Sequence, residues 1–144
     1  MTDRSGIICA GNWIVDLIHE LDRWPNESEL VRIGTQARGV GGGPANVITT
    51  LAKLETGLPL YPMGAIGEDE YGAFIRKECC RLGLPTSGLI SKTDVATAHT
   101  HVMSVAGQSR TFFYQGGAND SLNIDDFPEG TFKDTSALIF YLGY

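Results

Sequence analysis

Short apolar runs alternate with amphipathic segments along the first two thirds of the chain. Residues 6–10 and 60–66 are nearly continuous apolar runs, a pattern typical of strands that are buried on both faces of a sheet. Residues 45–55 and 71–82 carry apolar side chains at the three- and four-residue spacing of helices that pack on one face. This order of strand, helix, strand and helix predicts a parallel sheet with crossover helices.

Two further segments have neither a buried-strand nor a helical pattern. In residues 16–40 and 96–115, polar and apolar side chains interleave as in half-exposed antiparallel strands. The second segment turns at Ala106-Gly107-Gln108-Ser109, which predicts a hairpin. We therefore expect a small second sheet that lies beside the core as a lid.

The last nine residues, 136–144, form another apolar run of buried-strand character. A parallel strand with no helix after it leaves apolar surface exposed unless something else packs on it. We therefore expect the sequence to be the N-terminal part of one larger domain. Its core elements should lie near residues 6–15, 44–92 and 123–144.

Composition narrows the class of protein. The 144 residues are 42% hydrophobic, which suits one compact domain with its own core. A net charge of -6 disfavours nucleic acids and anionic membranes as partners, because phosphate recognition needs clustered Lys and Arg. The three cysteines include an adjacent pair, so we expect free thiols in a reducing cytoplasm. No segment is typical of a signal peptide or a membrane span.

The strongest local signal is the glycine-rich stretch GVGGGPAN at residues 39–46. Glycines before a helix let a ligand approach backbone N–H groups, and the helix start adds positive potential. A flexible turn explains the same residues equally well. No Gly-Lys-Ser/Thr follows, and the glycines do not fit GxGxxG, so the two familiar phosphate loops are unlikely choices for this stretch.

Three other places carry candidate chemistry. Asp16 follows the first predicted strand, at the edge where open α/β sheets bind ligands, and its carboxylate either accepts hydroxyl hydrogen bonds or caps a turn. His99 and His101 alternate on one strand face, but His19 is far away in sequence, so we predict no metal site. Arg110 follows the hairpin turn, where a solvated charge on an edge strand is the simplest explanation.

Taken in order, these features resemble the ribokinase-like (PfkB) carbohydrate kinase family over essentially the whole chain. Each feature is weak alone, whereas the ordered series is specific. The series consists of Gly11 with Asp16 five residues later, the Trp24-Pro25 turn, Gly41-Gly42 with Asn46, the GEDEYG element at 67–72, the Leu82-Gly83-Leu84 helix ending, Ser109-Arg110-Thr111 in the hairpin, and Gly117-Ala118-Asn119.

The resemblance implies a Rossmann-like three-layer α/β core with a small β-sheet lid, truncated on its C-terminal side. It also implies phosphoryl transfer from ATP to a sugar hydroxyl, with Mg²⁺ present. Asp16 matches the family residue that holds sugar hydroxyls, and Asn46 matches an amide that binds another hydroxyl. Gly41 and Gly42 match the hinge diglycine whose backbone amides meet the sugar. Arg110 resembles a lid arginine that lies near the transferring phosphate.

Two departures from the family pattern shape what we expect of this chain. Ile14 and Gly43 stand where ribokinase itself has polar sugar contacts, so ribose is not especially favoured. An Asp-Thr-x-Gly-Ala-Gly-Asp element is absent, and its last Asp is the family's general base. We therefore expect the base in a missing C-terminal part, and we expect this chain alone to be inactive and to bind neither ATP nor Mg²⁺.

Two other functions remain open at this point. One is a nucleoside kinase on the same fold. The other is a non-catalytic ligand-binding or dimerisation module, in which the lid strands pair two copies of the chain, because strand edges are natural pairing surfaces.

Overall fold

The computed structural model describes residues 4–127 and 129–144 and folds them into two four-stranded sheets. The strands are β1 (Gly6–Gly11), β2 (Ile14–Leu21), β3 (Ile33–Gly41), β4 (Leu60–Gly67), β5 (Leu89–Lys92), β6 (His99–Val105), β7 (Thr111–Gln115) and β8 (Ala137–Gly143). The helices are α1 (Gly43–Lys53) and α2 (Glu70–Arg81), and two short 3₁₀ helices span Gly117–Ser121 and Ile124–Asp126. Strands β5-β4-β1-β8 form the parallel core sheet, and β3-β2-β6-β7 form the lid sheet.

Both helices pack on the same face of the core sheet. Cys9 of β1, Ile48 of α1 and Ile75 of α2 are buried in one cluster. The opposite face carries a smaller cluster, which Phe127 and Phe132 cover. Of the three layers that the sequence predicts, the described residues therefore supply the sheet and one helical layer. No helix in this part of the chain is long and apolar enough to cross a membrane.

The signals that begin and end the helices act as expected at two positions and differ at a third. Pro44 lies in the first turn of α1, and Gly83, with φ +70°, follows α2. The N–H of Leu84 then donates to the carbonyl of Cys79 at 2.9 Å, which closes the helix end. Helix α1 ends at Lys53, two residues before the end of the apolar pattern at residue 55.

The lid sheet contains two antiparallel pairs joined by one parallel pair. β2 pairs antiparallel with β3 and parallel with β6, and β6 pairs antiparallel with β7. Because side chains alternate along a strand, Asp16 lies on one face of β2 and His19 on the other. The face that carries His19 rests partly on α2, where the Arg38 guanidinium lies 4.2 Å from the centroid of the Phe74 ring.

The chain enters the lid earlier than the sequence indicated. β1 ends at Gly11, so Asp16 is the third residue of lid strand β2 and does not directly follow a core strand. Gly11 has a φ of +125°, a conformation that favours glycine, and Trp13 is fully buried directly after it. The turn is therefore sharp, and the lid begins at Ile14 rather than near residue 16.

Strand β8 lies at the edge of the core sheet and is only partly covered. It pairs in parallel with β1 along its whole length. Leu138, Phe140 and Leu142 nevertheless expose 69%, 52% and 70% of their surface. As the sequence predicted, this apolar run leaves a hydrophobic surface open.

Candidate functional site

The carboxyl ends of β1 and β8 meet the start of α1 at one edge of the core sheet. The N–H of Asn12 donates to the carbonyl of Gly143 at 3.2 Å, and the N–H of Gly43 donates to the carbonyl of Tyr144 at 3.2 Å. Lid strand β2 begins and lid strand β3 ends beside this edge. Open α/β sheets bind their ligands at the carboxyl ends of their strands, so this edge is the candidate site.

The carboxylate of Asp16 lies directly against Gly41 at the end of β3. The register pairs Asp16 with Gly39 and Ile14 with Gly41, which puts Asp16 and Gly41 on the same face of the lid. A Cβ built on Gly41 would lie 2.9 Å from Cγ and 3.1 Å from Oδ1 of Asp16. Only glycine leaves room for the carboxylate at this close approach.

Burial and a nearby cation set the electrostatics of this carboxylate. Asp16 is half-buried, and burial raises the pKa of its carboxyl above the ordinary value, while the positive charge of Arg110 lowers it in part. The Arg110 guanidinium lies 5.5 Å from the centroid of the Phe112 ring, within cation–π range. A partly desolvated carboxylate and an exposed cation therefore act on the same region of the lid.

Gly42 and Asn46 continue the site from the lid into α1. Gly42 is the N-cap of the helix with a φ of +96°, and its carbonyl accepts the N–H of Asn46 at 3.0 Å. A Cβ on Gly42 would also lie 3.0 Å from the carbonyl carbon of Asn12. Asn46 is exposed, and no hydrogen bond joins its side-chain amide to the described part of the chain. That amide is available to a ligand.

A clamp that the sequence did not predict holds the entrance to β2. Asn119, which is 9% exposed, accepts the N–H of Trp13 through Oδ1 and donates to the carbonyl of Trp13 through Nδ2, both at 3.2 Å. The indole of Trp13 donates to the carbonyl of Met63 on β4 at 2.9 Å. Asn119 also lies 3.5 Å from the hydroxyl of Tyr114. These bonds fix the strand that carries Asp16 relative to the core.

A second clamp explains the acidic GEDEYG element at the start of α2. Asp69 caps the helix by accepting the N–H of Gly72 at 2.8 Å, and it also accepts the backbone N–H of Thr97 at 2.7 Å and the hydroxyl of Thr97 at 2.6 Å. Burial opposes ionisation, but these hydrogen bonds outweigh it and lower the pKa of Asp69. The lid strand β6 is thereby tied to the core just before it begins.

Signals for the first clamp were present in the sequence but could not be interpreted there. A single large aromatic residue, Trp13, stands between two predicted strands, and Asn119 belongs to the Gly-Ala-Asn tripeptide already noted. Trp13 and Asn119 lie 106 positions apart in the chain. Only the assembled fold shows that they meet.

The structure thus brings Asp16, Gly41 and Arg110 into one region, with Gly42 and Asn46 in the adjoining turn. Within residues 4–127 and 129–144, no group of three or more His, Cys, Asp or Glu side chains is arranged to hold a metal ion.

Burial raises the pKa of both Cys9 and Cys79 to about 11, so these thiols stay protonated and are poor nucleophiles.

Comparison with known families identifies the class to which the chain belongs. The family described as pfkB family carbohydrate kinase matches residues 4–140, nearly the whole sequence. The match covers both clamps, the glycine-rich turn and all but the last residues of β8. The chain therefore belongs to the pfkB family of carbohydrate kinases, and its fold is the ribokinase-like α/β fold.

Individual relatives agree with this assignment. The chain is 32% identical over 139 residues to 5-dehydro-2-deoxygluconokinase of Listeria innocua, a match that covers 94% of this chain and 41% of that protein. Ribokinase from Giardia lamblia is similar with a TM-score of 0.85 at 19% identity, over 96% of this chain and 44% of that one.

A third relative, ribokinase from Arabidopsis thaliana, was solved with ribose and ATP. It is similar with a TM-score of 0.69 at 29% identity, over 80% of this chain and 37% of that one. The chain therefore spans well under half the length of these three proteins.

Proposed function

We propose that this chain forms the sugar-binding half and the lid of an ATP-dependent carbohydrate kinase. The observation that carries the proposal is the contact between the Asp16 carboxylate and Gly41, within reach of the charge of Arg110. Membership of the pfkB family supports phosphoryl transfer to a sugar hydroxyl as the reaction of the complete protein.

Each residue of the site has a role in this proposal that follows from its chemistry. The Asp16 carboxylate has lost part of its water, and two sugar hydroxyls replace that water as hydrogen-bond donors. The glycines at 41 and 42 let the ligand approach the backbone closely. The amide of Asn46 both donates and accepts, so it binds a further hydroxyl.

ATP is the phosphoryl donor in this proposal. The guanidinium of Arg110 is planar and carries five donors, so it binds phosphate oxygens in pairs as the group is transferred. Since residues 4–127 and 129–144 hold no metal-binding cluster, we assign no residue of this chain to Mg²⁺. In this proposal, the residues of this chain bind and orient the sugar and exclude water as the lid closes.

Calorimetric titration of the chain with a small panel of ligands tests the proposal. The panel consists of ribose, fructose, gluconate and adenosine, which separate neutral sugars, sugar acids and nucleosides. We expect saturable binding of at least one sugar or sugar acid. Binding of adenosine alone would favour a nucleoside kinase, and no binding of any ligand would contradict the role that we assign to this chain.

The outer edge of the lid supports a further part of the proposal, a homodimer. β7 is an edge strand of the lid sheet, and Phe112, Phe113 and Tyr114 each expose at least half of their surface. Such an edge pairs readily with a strand of another chain. We expect sedimentation equilibrium to give twice the mass of one chain. A monomer mass that does not change with concentration would contradict this pairing.

The cysteines support a cytoplasmic location, which also stays a proposal. Cys9 and Cys79 are buried, Cys80 is exposed, and all three are free thiols. Proteins of oxidising compartments usually pair their cysteines, whereas the cytoplasm keeps thiols reduced. A reducing compartment therefore suits this chain.

A further inference from the structure

The three histidines of the chain meet on the lid face opposite Asp16. His19 is distant from the other two in sequence, but the register of β2 and β6 brings them together. His19 Nε2 lies 3.1 Å from His101 Nδ1. The ring of His99 lies 5.6 Å from that of His101, centroid to centroid. None of these contacts has a part in the proposed sugar site.

The hydrogen bonds between these side chains have one direction when the rings are neutral. The amide nitrogen of Gln36 on β3 lies 3.1 Å from His19 Nδ1, and because an amide N–H donates, Nδ1 accepts. His19 then carries its proton on Nε2 and donates it to His101 Nδ1. One continuous row of hydrogen bonds thus joins β3, β2 and β6, and we call it the histidine row.

The two imidazole rings meet edge to edge. Their planes differ by 14° and their centroids are 5.3 Å apart. That separation is close to the nitrogen–nitrogen distance of 3.1 Å plus the two distances from nitrogen to ring centre. The N–H of His19 therefore points almost straight at the lone pair of His101, which is the strongest geometry for this bond.

Protonation conflicts with this arrangement. A proton on His101 places one N–H against another, unless His19 changes tautomer and the amide of Gln36 turns over to accept. A second proton, on His19, removes every acceptor between the two rings. The histidine row therefore holds at most one extra proton, and the second one breaks the bond that crosses from β2 to β6.

The charges around the row add to this conflict. The titratable and charged groups on this face are His19 on β2, Arg38 on β3, His99 and His101 on β6, and Tyr71 on α2. β7 presents the uncharged Phe113 beside His101. Glu78 of α2 lines the same surface depression as Arg38, together with Lys53 and Arg81, and it pairs with Arg81 at 2.8 Å. Each added proton therefore meets other positive charges.

The same face connects the lid to the core. The Nδ1–H of His99 donates to the carbonyl of Thr97 at 3.2 Å. The ring of His99 lies 5.2 Å from that of Tyr71 on α2, centroid to centroid. Since a carbonyl only accepts, His99 keeps its proton on Nδ1, and its Nε2 can take another without losing this bond. A charge on His99 then lies beside His101 at the base of the lid.

We propose that the histidine row is a pH-sensitive latch, which holds the lid strands together at neutral pH and releases them when both of its rings are protonated. It would act on the face behind the sugar site, three residues along β2 from Asp16. The latch depends on His19, His101 and Gln36, so it can exist whether or not the chain binds a sugar.

The direction of the pH effect follows from His101. Burial, and then the charges of His19 and His99, lower the pKa of His101 below 6.5. The unfolded chain therefore takes up this proton at a higher pH than the folded chain. The contribution of neutral His101 to the free energy of unfolding is fully present above the ordinary pKa of 6.5. It is lost as the pH falls toward the lower pKa that His101 has in the folded protein.

Amide hydrogen exchange of the chain at pH 7.5 and 5.5, corrected for the intrinsic rates, tests the latch. We expect the protection of β2 and β6 to fall at least about threefold at the lower pH, while the core strand β1 changes much less. His101→Asn places an amide oxygen where Nδ1 was, so the bond from His19 survives without a second titrating ring. This variant should lose most of the pH effect.

His99→Asn is the matched control, because it removes a histidine from the same face but leaves the row intact. It should keep most of the pH effect, because burial and the charge of His19 still lower the pKa of His101. An equal loss of protection in the His101→Asn variant, or no loss in the unchanged chain, would overturn the proposal. If His101→Asn fails to fold, ¹⁵N NMR of the unchanged chain decides: a protonated Nδ1 on His101 at pH 7.5 would overturn it, and a bare Nδ1 that titrates below pH 6.5 would support it.

Discussion

Asp16→Asn is expected to weaken the binding of the sugar that the chain recognises by roughly 10- to 100-fold, because hydrogen bonds to a charged group contribute about 1.5–3 kcal/mol. Asparagine has the same shape but keeps only one acceptor oxygen and no charge. Because burial disfavours the charge of Asp16, its removal should leave the free energy of unfolding unchanged or slightly higher. Calorimetry and urea unfolding of the same sample separate the two effects.

The control for this variant is Asp22→Asn, the same chemical change at an exposed position just after β2. It should bind the sugar as the unchanged chain does. Equal affinities for the Asp16→Asn variant and the unchanged chain would remove Asp16 from the site. A loss of affinity that is matched by an equal loss of stability would instead mean that Asp16 holds the lid together.

Gly41→Ala should disturb both binding and stability. The new methyl group would lie 2.9 Å from Cγ of Asp16, so the carboxylate must move away from its present position. Overpacking of this kind costs about 1–3 kcal/mol, and we expect the affinity for the sugar to fall roughly tenfold or more. The φ of Gly41 is not positive, so the effect comes from this contact and not from backbone strain.

Gly34→Ala at the other end of β3 is the matched control, because a Cβ there makes only an ordinary contact with the carbonyl of Glu20 at 3.6 Å. It should change neither affinity nor stability by much. If Gly41 acts through Asp16, the double variant Gly41→Ala with Asp16→Asn should bind no more weakly than Asp16→Asn alone. Fully additive losses of affinity would contradict that coupling.

The core could be predicted from the sequence because its signals are local. The continuous apolar run at residues 6–10 has the length of a strand and is too short for a typical helix. The helices carry both periodic apolar positions and end signals such as Gly83. The lid hairpin could be predicted in the same way, from the turn around Gly107.

The exact place of Asp16 could not be predicted, because it depends on contacts between distant parts of the chain. The turn before β2 is fixed by the burial of Trp13 against β4 and by its bonds to Asn119. The closeness of Asp16 to Gly41 depends on the register between β2 and β3. A sequence pattern gives the face of a strand but does not give its partner's register.

The histidines show the same limit in its sharpest form. His19 and His101 are 82 positions apart in the sequence, but the pairing of β2 with β6 places their facing nitrogens 3.1 Å apart. The GEDEYG element is a second case, since Asp69 caps α2 and also accepts hydrogen bonds from Thr97, 28 positions further along the chain. Residues that join distant strands, within one sheet or between two, can be recognised only when the sheets are assembled.

The most direct test of the account is the ¹³C resonance of the Asp16 carboxyl group in chain labelled at aspartate. In the free chain its titration midpoint should lie above the ordinary value of 3.8. On saturation with the sugar that binds, this resonance should shift while that of exposed Asp22 stays in place. A sugar that saturates the chain and leaves the Asp16 resonance unmoved would contradict the claim that this carboxylate, packed on Gly41, holds the ligand.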